Sequence, residues 1–232
     1  MNLLAMLGWN PGTEQELFTL EELVAAFSLE RVIKSGARFN ADKAKWYNKE
    51  YLRTKTAAEL TDLYIPVLES KGLKIVDCPA CALTAGSEMT AQGADFENKI
   101  FSRQYVERIV ALIQERATFV ADFWEIAPYL FEAPTSFVEK DAAKFWKEEN
   151  YTLALKVADF IMAFEGEFTK EALDGPLEEY IRGNEWPMGK VMNCLRLAMV
   201  GGSNGLGIAD IVTLIGKKEF AKRIDFIKAT LC

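Results

Sequence analysis

Apolar positions along this chain recur mostly at the three- and four-residue spacing of helices, and no strict alternation runs longer than a few residues. Thr19-Leu20-Glu21-Glu22 has the S/T-x-x-E form of a capping box and predicts a short helix through Phe27. Thr56-Ala57-Ala58-Glu59 repeats that signal and predicts a longer helix closing at Gly72, a C-cap residue. From Lys99 to Ala121, the residues Phe101, Tyr105, Ile109, Leu112 and Val120 fall at helical spacing. Residues 139–148, 152–164 and 169–182 predict three more helices, the last capped by Thr169. Trp186-Pro187 opens another, proline being suited to a first turn, and helices near 207–215 and 217–230 close the chain. The pattern predicts an all-α protein without internal repeats. Breaks near 53–56 and at Glu132-Ala133-Pro134-Thr135 divide it into 1–55, 56–133 and 134–232. Residues 78–98, rich in Ala, Gly, Ser and Thr, read as a loop or insertion.

Composition narrows the function classes. The 232 residues leave room for a real core, and 50% apolar with 26% charged residues is the balance of a globular chain. No apolar stretch approaches the ~18 residues of a membrane span, so no membrane partner is expected. The N-terminus lacks the basic, apolar and small-residue order of a signal peptide. Cys78, Cys81, Cys194 and Cys232 are too few and too uneven for a disulfide scaffold, and a reduced, cytoplasmic protein is expected. The chain has no histidine. That removes a Ser-His-Asp or Cys-His nucleophile, a His-containing zinc site and any imidazole proton transfer. Chemistry by carboxylates or lysine stays open.

The net charge of −7 argues against a nucleic-acid partner only as an average. Residues 119–185 carry 6 basic and 15 acidic residues, net −9. Residues 186–232 carry 7 and 3, net +4, and residues 31–55 carry 8 and 2, net +6. Two basic segments thus flank an acidic middle. They are either solvated helix faces or two patches for one polyanion. Trp46, Tyr47 and Tyr51 lie among Lys43, Lys45, Lys49 and Arg53. Aromatics interleaved with cations stack on RNA bases, although a core-facing role is the commoner one.

Two motifs carry less than they suggest. Cys78-Pro79-Ala80-Cys81 is half a zinc site, with no second CxxC and no histidine to complete it. The run from Gly201 to Gly207 matches neither GxGxxG nor GxxxxGK[ST] and joins two predicted helices. It reads as a flexible turn whose backbone could still approach a base or phosphate.

Leu3 to Glu16, LLAMLGWNPGTEQE, and Phe27 to Asn48, FSLERVIKSGARFNADKAKWYN, together resemble the end of the stem-contact region of bacterial glutamyl-tRNA synthetases. The rest, apart from residues 74–98, is similar to the family's helical anticodon-binding region. LIQERATFVADFW followed by Tyr129-Leu130-Phe131 matches its pattern around Arg116. KVMNCLRLAMVG over 190–201 and residues 207–223 match its closing pattern. The family's Gly-Pro-x-Leu stands here as Gly205-Leu206-Gly207-Ile208. The HIGH-type and KMSKS-type ATP motifs are absent. Met1 is therefore expected to begin a piece cut inside a longer enzyme.

The resemblance implies two helical anticodon-binding subdomains after a stem-contact remnant, tRNA(Glu) as partner, and a monomer that binds no DNA. The parent enzyme would use ATP and magnesium; this chain would hold no cofactor and no metal, and activate no glutamate alone. It implies RNA contacts at Arg116, Lys190, Arg196, Gly205 and Ile208, beside Lys43, Lys45 and Trp46 from the basic segment. Arg116 takes the place of an arginine that reads the last anticodon base, C for glutamate and G for glutamine. A guanidinium donor fork fits cytosine's N3 and O2 acceptors and meets donors on guanine. The alternative for Arg116 is a local ion pair with a carboxylate such as Glu115 or Asp122, or a stem that covers the apolar stripe. A free-standing helical protein-interaction module is the second reading of the whole chain, and carboxylate-based catalysis the third.

Overall fold

The computed structural model describes residues 1–34, 36, 38–77 and 92–231. Helices dominate it. The N-terminal part holds α1 (Asn2–Gly8), α2 (Leu20–Ala26) and α3 (Ala41–Thr54). Thr19 caps α2 with both bonds of the capping box, as the sequence predicts. Trp9 anchors this part, buried edge-on to Phe18 and beside Phe27, with its backbone bridging Val32. Asn40 caps α3 by accepting the N–H groups of Asp42 and Lys43 at 3.0 Å.

Helix α4 (Ala57–Ser70) begins at Thr56, again with a full capping box, and ends as Gly72 takes a left-handed turn. There a small sheet interrupts the otherwise helical chain that the sequence predicts. Strands β1 (Lys74–Val76), β2 (Ala94–Asp95) and β3 (Ile100–Ser102) form a small sheet in the order β1-β3-β2. β3 pairs parallel with β1 and antiparallel with β2. The helix expected from Lys99 therefore starts at Arg103, as α5 (Arg103–Ile113). The reason is local: Ile100, Phe101 and Ser102 are buried between two strands, and the Ser102 hydroxyl caps α5 by accepting the Tyr105 N–H at 3.1 Å. A 3₁₀ turn, Gln114–Arg116, and α6 (Asp122–Ile126) follow, then a 3₁₀ turn at Pro128–Leu130.

The remaining helices are α7 (Glu139–Phe145), α8 (Glu148–Ala163), α9 (Lys170–Gly183), α10 (Met188–Val200) and α11 (Ile208–Leu231). Thr169 precedes α9 without a side-chain cap bond. α10 buries Val191, Cys194, Leu195, Leu197, Ala198 and Met199, a broad apolar face, and packs against α7, α8 and α11. α11 breaks at Gly216, whose φ of 78° and ψ of 163° are non-helical, giving the two consecutive helices that the sequence predicts. One cluster of buried apolar residues runs from Leu52 to Ile227. Its first half is aromatic: Tyr64 lies edge-on to Phe123, and Phe101 to Phe131, each with ring centres 5.3 Å apart.

Candidate nucleic-acid interface

The 3₁₀ turn after α5 carries Arg116 to the surface, with buried Ile113 and Ala117 pinning its two sides. Neither carboxylate offered by the sequence pairs with it. Glu115 accepts Arg53 Nε at 3.0 Å. Asp122 turns back onto its own loop, accepting the N–H groups of Thr118 and Phe119 at 2.9 Å. Arg116 instead reaches across the chain and donates from Nη1 to the Gly205 carbonyl at 3.4 Å. A guanidinium has five N–H donors, so this one long bond leaves most of its fork open.

Arg196 approaches the same loop from α10. Its Nε donates to the Leu206 carbonyl at 3.4 Å and its Nη1 to Asn193 Oδ1 at 3.0 Å. Two arginines 80 residues apart in sequence thus meet consecutive carbonyls of one turn. Beneath them the Tyr129 hydroxyl accepts the Leu206 N–H at 2.9 Å. Burial pushes the pKa of this phenol up; the Leu206 bond and the fields of Arg116 and Arg196 act the other way. The tyrosine therefore stays neutral at physiological pH. The arrangement offers a cationic, donor-rich notch, suited to acceptor edges of an unstacked base or to phosphate oxygens.

Of the sequence-predicted contacts, the structure gathers Arg116, Arg196 and Gly205 here. Ile208 starts α11 beside them, but its side chain is buried in the core and cannot meet a ligand. Lys190 is elsewhere on α10, facing Glu149 of α8 at 3.8 Å. Lys43, Lys45 and Trp46 belong to α3. Lys43 pairs with Glu16 and lies over the rings of Trp46 and Tyr47, 4.6 and 5.7 Å from their centres. Lys45 is open to solvent and Trp46 is 37% exposed. Tyr47 is buried and donates to the Glu16 carbonyl at 3.1 Å, so the core-facing role holds for it. α3 touches both flanks of Arg116: Asn48 Nδ2 donates to the Thr118 carbonyl, and Arg53 pairs with Glu115.

The second basic segment is not the open cationic face that its +4 suggests. Arg223 is buried; its Nε donates to Glu219 at 2.7 Å and its Nη1 to the carbonyls of Tyr129 and Met199 at 2.7 and 2.9 Å. Lys217 donates to the carbonyls of Met162 and Phe164 at the end of α8, at 2.9 and 2.5 Å. Lys218 and Lys222 face Glu97. Nor is the glycine turn a phosphate cradle: the Ser203 N–H already donates to Asp141 Oδ2 at 2.8 Å, placing a carboxylate where a phosphate would sit. Cys78 and Cys81 lie outside the described residues. Sequence reasoning missed Tyr129 and Arg223 as organisers of the site. The only signals for them were the Tyr129-Leu130-Phe131 run and an arginine one helical turn from Glu219.

Residues 59–228 match the model of the anticodon binding domain family. The chain is 39% identical, over its whole length, to the glutamate–tRNA ligase of Flavobacterium psychrophilum, and 34% identical over 97% of its length to that of Parabacteroides distasonis. It covers 40% and 39% of those proteins respectively. A crystal structure of a glutamate tRNA ligase from Elizabethkingia meningosepticum in complex with its amino acid superposes over all of the chain, at 31% identity and a TM-score of 0.82. There too the chain spans 40% of the longer protein. The match is to the C-terminal portion of these ligases and does not favour a free-standing interaction module.

Proposed function

This chain belongs to the anticodon binding domain family, and on that premise we propose that it grips the anticodon arm of a glutamate tRNA so that a catalytic portion elsewhere in the protein can charge the acceptor end. The observation that supports this most is the convergence of Arg116 and Arg196 on the carbonyls of Gly205 and Leu206, with the neighbouring carboxylates already engaged. In the proposal Arg116 reads the last anticodon base, donating to cytosine N3 and O2 and rejecting guanine, whose edge also donates. The exposed cations of α3, Lys45 above all, hold the backbone and set register without reading sequence.

The proposal gives the described residues no bond-making role. ATP and magnesium, required for a glutamate–tRNA ligase reaction, would bind outside them, because a HIGH-type motif needs histidine and the chain has none. It also makes the protein a cytoplasmic monomer acting on RNA rather than DNA. Among the described residues no helix is long and apolar enough to cross a membrane.

Comparative binding of tRNAs differing only at the last anticodon base tests the reading. Wild type should prefer C over G, and Arg116→Gln should narrow that preference by roughly 1–3 kcal/mol if a bidentate contact is lost. An unchanged ratio with lower overall affinity would make Arg116 a backbone or structural residue.

A further inference from the structure

The polar centre of the notch is a single peptide group. Leu206 is buried, so its N–H needs a partner, and the Tyr129 hydroxyl supplies it at 2.9 Å. A peptide is planar and trans. Fixing the direction of the Leu206 N–H therefore fixes the Gly205 carbonyl on the opposite side of the same plane. That carbonyl is the acceptor of Arg116. The next carbonyl, Leu206, is the acceptor of Arg196.

Tyr129 is itself held. Its ring is buried and its own carbonyl accepts Arg223 Nη1 at 2.7 Å. Gly205 lets the loop come this near: a Cβ there would meet Tyr129 Oη at 3.3 Å and Val200 Cγ2 at 3.2 Å. The chain of contacts runs from the buried Arg223, through both ends of Tyr129, to a peptide that presents one carbonyl to each surface arginine.

We infer that Tyr129 is a positioning residue for base recognition: its hydroxyl locks the Gly205–Leu206 peptide plane and, through it, the stance of Arg116 relative to Arg196. The inference rests on the anticodon-reading role proposed above. It adds that discrimination depends on a phenol that touches no base.

The test compares binding of two synthetic anticodon stem–loops, with C or G as last anticodon base, to wild type and Tyr129→Phe. Phenylalanine keeps the ring and the Arg223 bond and deletes only the acceptor. The C-over-G ratio should fall roughly threefold or more, the scale of one lost hydrogen bond, while affinity for the G stem–loop stays within about twofold, since no phosphate contact is removed. The Leu206 amide should exchange faster in Tyr129→Phe without RNA present. Gly205→Ala, whose Cβ would press on Tyr129 Oη and Val200 Cγ2, should lower the ratio as well. Ile161→Val, in the buried face of α8, is the control: it should cost stability and leave the ratio unchanged. Wild-type discrimination with an unchanged Tyr129→Phe ratio overturns the inference alone. A wild-type chain that binds both stem–loops equally overturns the anticodon reading and this inference with it.

Discussion

Arg223 and Glu219 form a buried ion pair one turn apart on α11, Nε to Oε1 at 2.7 Å, with side chains 1% and 8% exposed. In water such a pair at i and i+4 adds a few tenths of a kcal/mol. Here both charges are desolvated, and Arg223 also satisfies the carbonyls of Tyr129 and Met199. It ties the turn after α6 to the end of α10.

Arg223→Ala should therefore destabilise the chain by about 3–5 kcal/mol, since it leaves Glu219 buried without a counter-charge and two carbonyls without donors. Urea unfolding followed by circular dichroism measures this. The double variant Arg223→Met with Glu219→Leu should recover much of the loss. A small effect of Arg223→Ala would mean that the side chain is reached by water.

Gly216 divides α11 at a backbone conformation, φ 78°, that a residue with a Cβ adopts only under strain. Gly216→Ala should cost at least ~1 kcal/mol, the sign opposite to that of Gly→Ala inside a regular helix. A thermal shift upward instead would mean that the two halves of α11 straighten into one helix without penalty.

That break was legible in the sequence, as were both capping boxes, because each depends on residues a few positions apart. The sheet was not. β3 is read correctly only if Lys74–Val76 is known to lie beside it, and that pairing spans more than twenty intervening residues. Ile100 and Phe101 have the same apolarity in either context, and the helical period of Phe101, Tyr105 and Ile109 carries on through the strand–helix junction. The site divides the same way. Arg116 and Arg196 were visible as arginines within a family-like pattern, but their convergence depends on a loop 89 residues from Arg116. Charge counting failed over 186–232 because composition does not distinguish a cation facing water from one facing carbonyls. Arg223 and Lys217 are the second kind.

Charge reversal should separate the faces. Lys45→Glu on α3 should weaken tRNA binding at low salt and reduce the slope of log affinity against log salt by about one to two charges' worth. Lys140→Glu, on the exposed first turn of α7 in the acidic middle, should change neither. Filter binding from low to moderate salt gives both slopes. Equal effects would remove α3 from the RNA face.

Cys194 gives a pH dependence with a definite sign. Its thiol is buried in α10, donates to the Phe145 carbonyl at 2.9 Å, and is pushed up to about 12 from an ordinary value of 9.0 by desolvation. Above pH 9 the unfolded chain gives up this proton while the folded chain keeps it. The native state then binds more protons than the unfolded state, so unfolding becomes easier as pH rises. The loss starts near pH 9 and continues towards 12. Tyr47, Tyr64, Tyr105 and Tyr129, whose phenols are also raised by burial from an ordinary value of 10.0, add to it increasingly as pH approaches 10. The difference between wild type and a variant without the thiol, taken from pH 9 to 10, isolates its share. Stability measured by urea unfolding should fall across that interval in the wild type, and Cys194→Ala should make the fall shallower while lowering the whole curve by the ~1 kcal/mol of a small core deletion. Equal slopes in wild type and Cys194→Ala would place the thiol within reach of solvent.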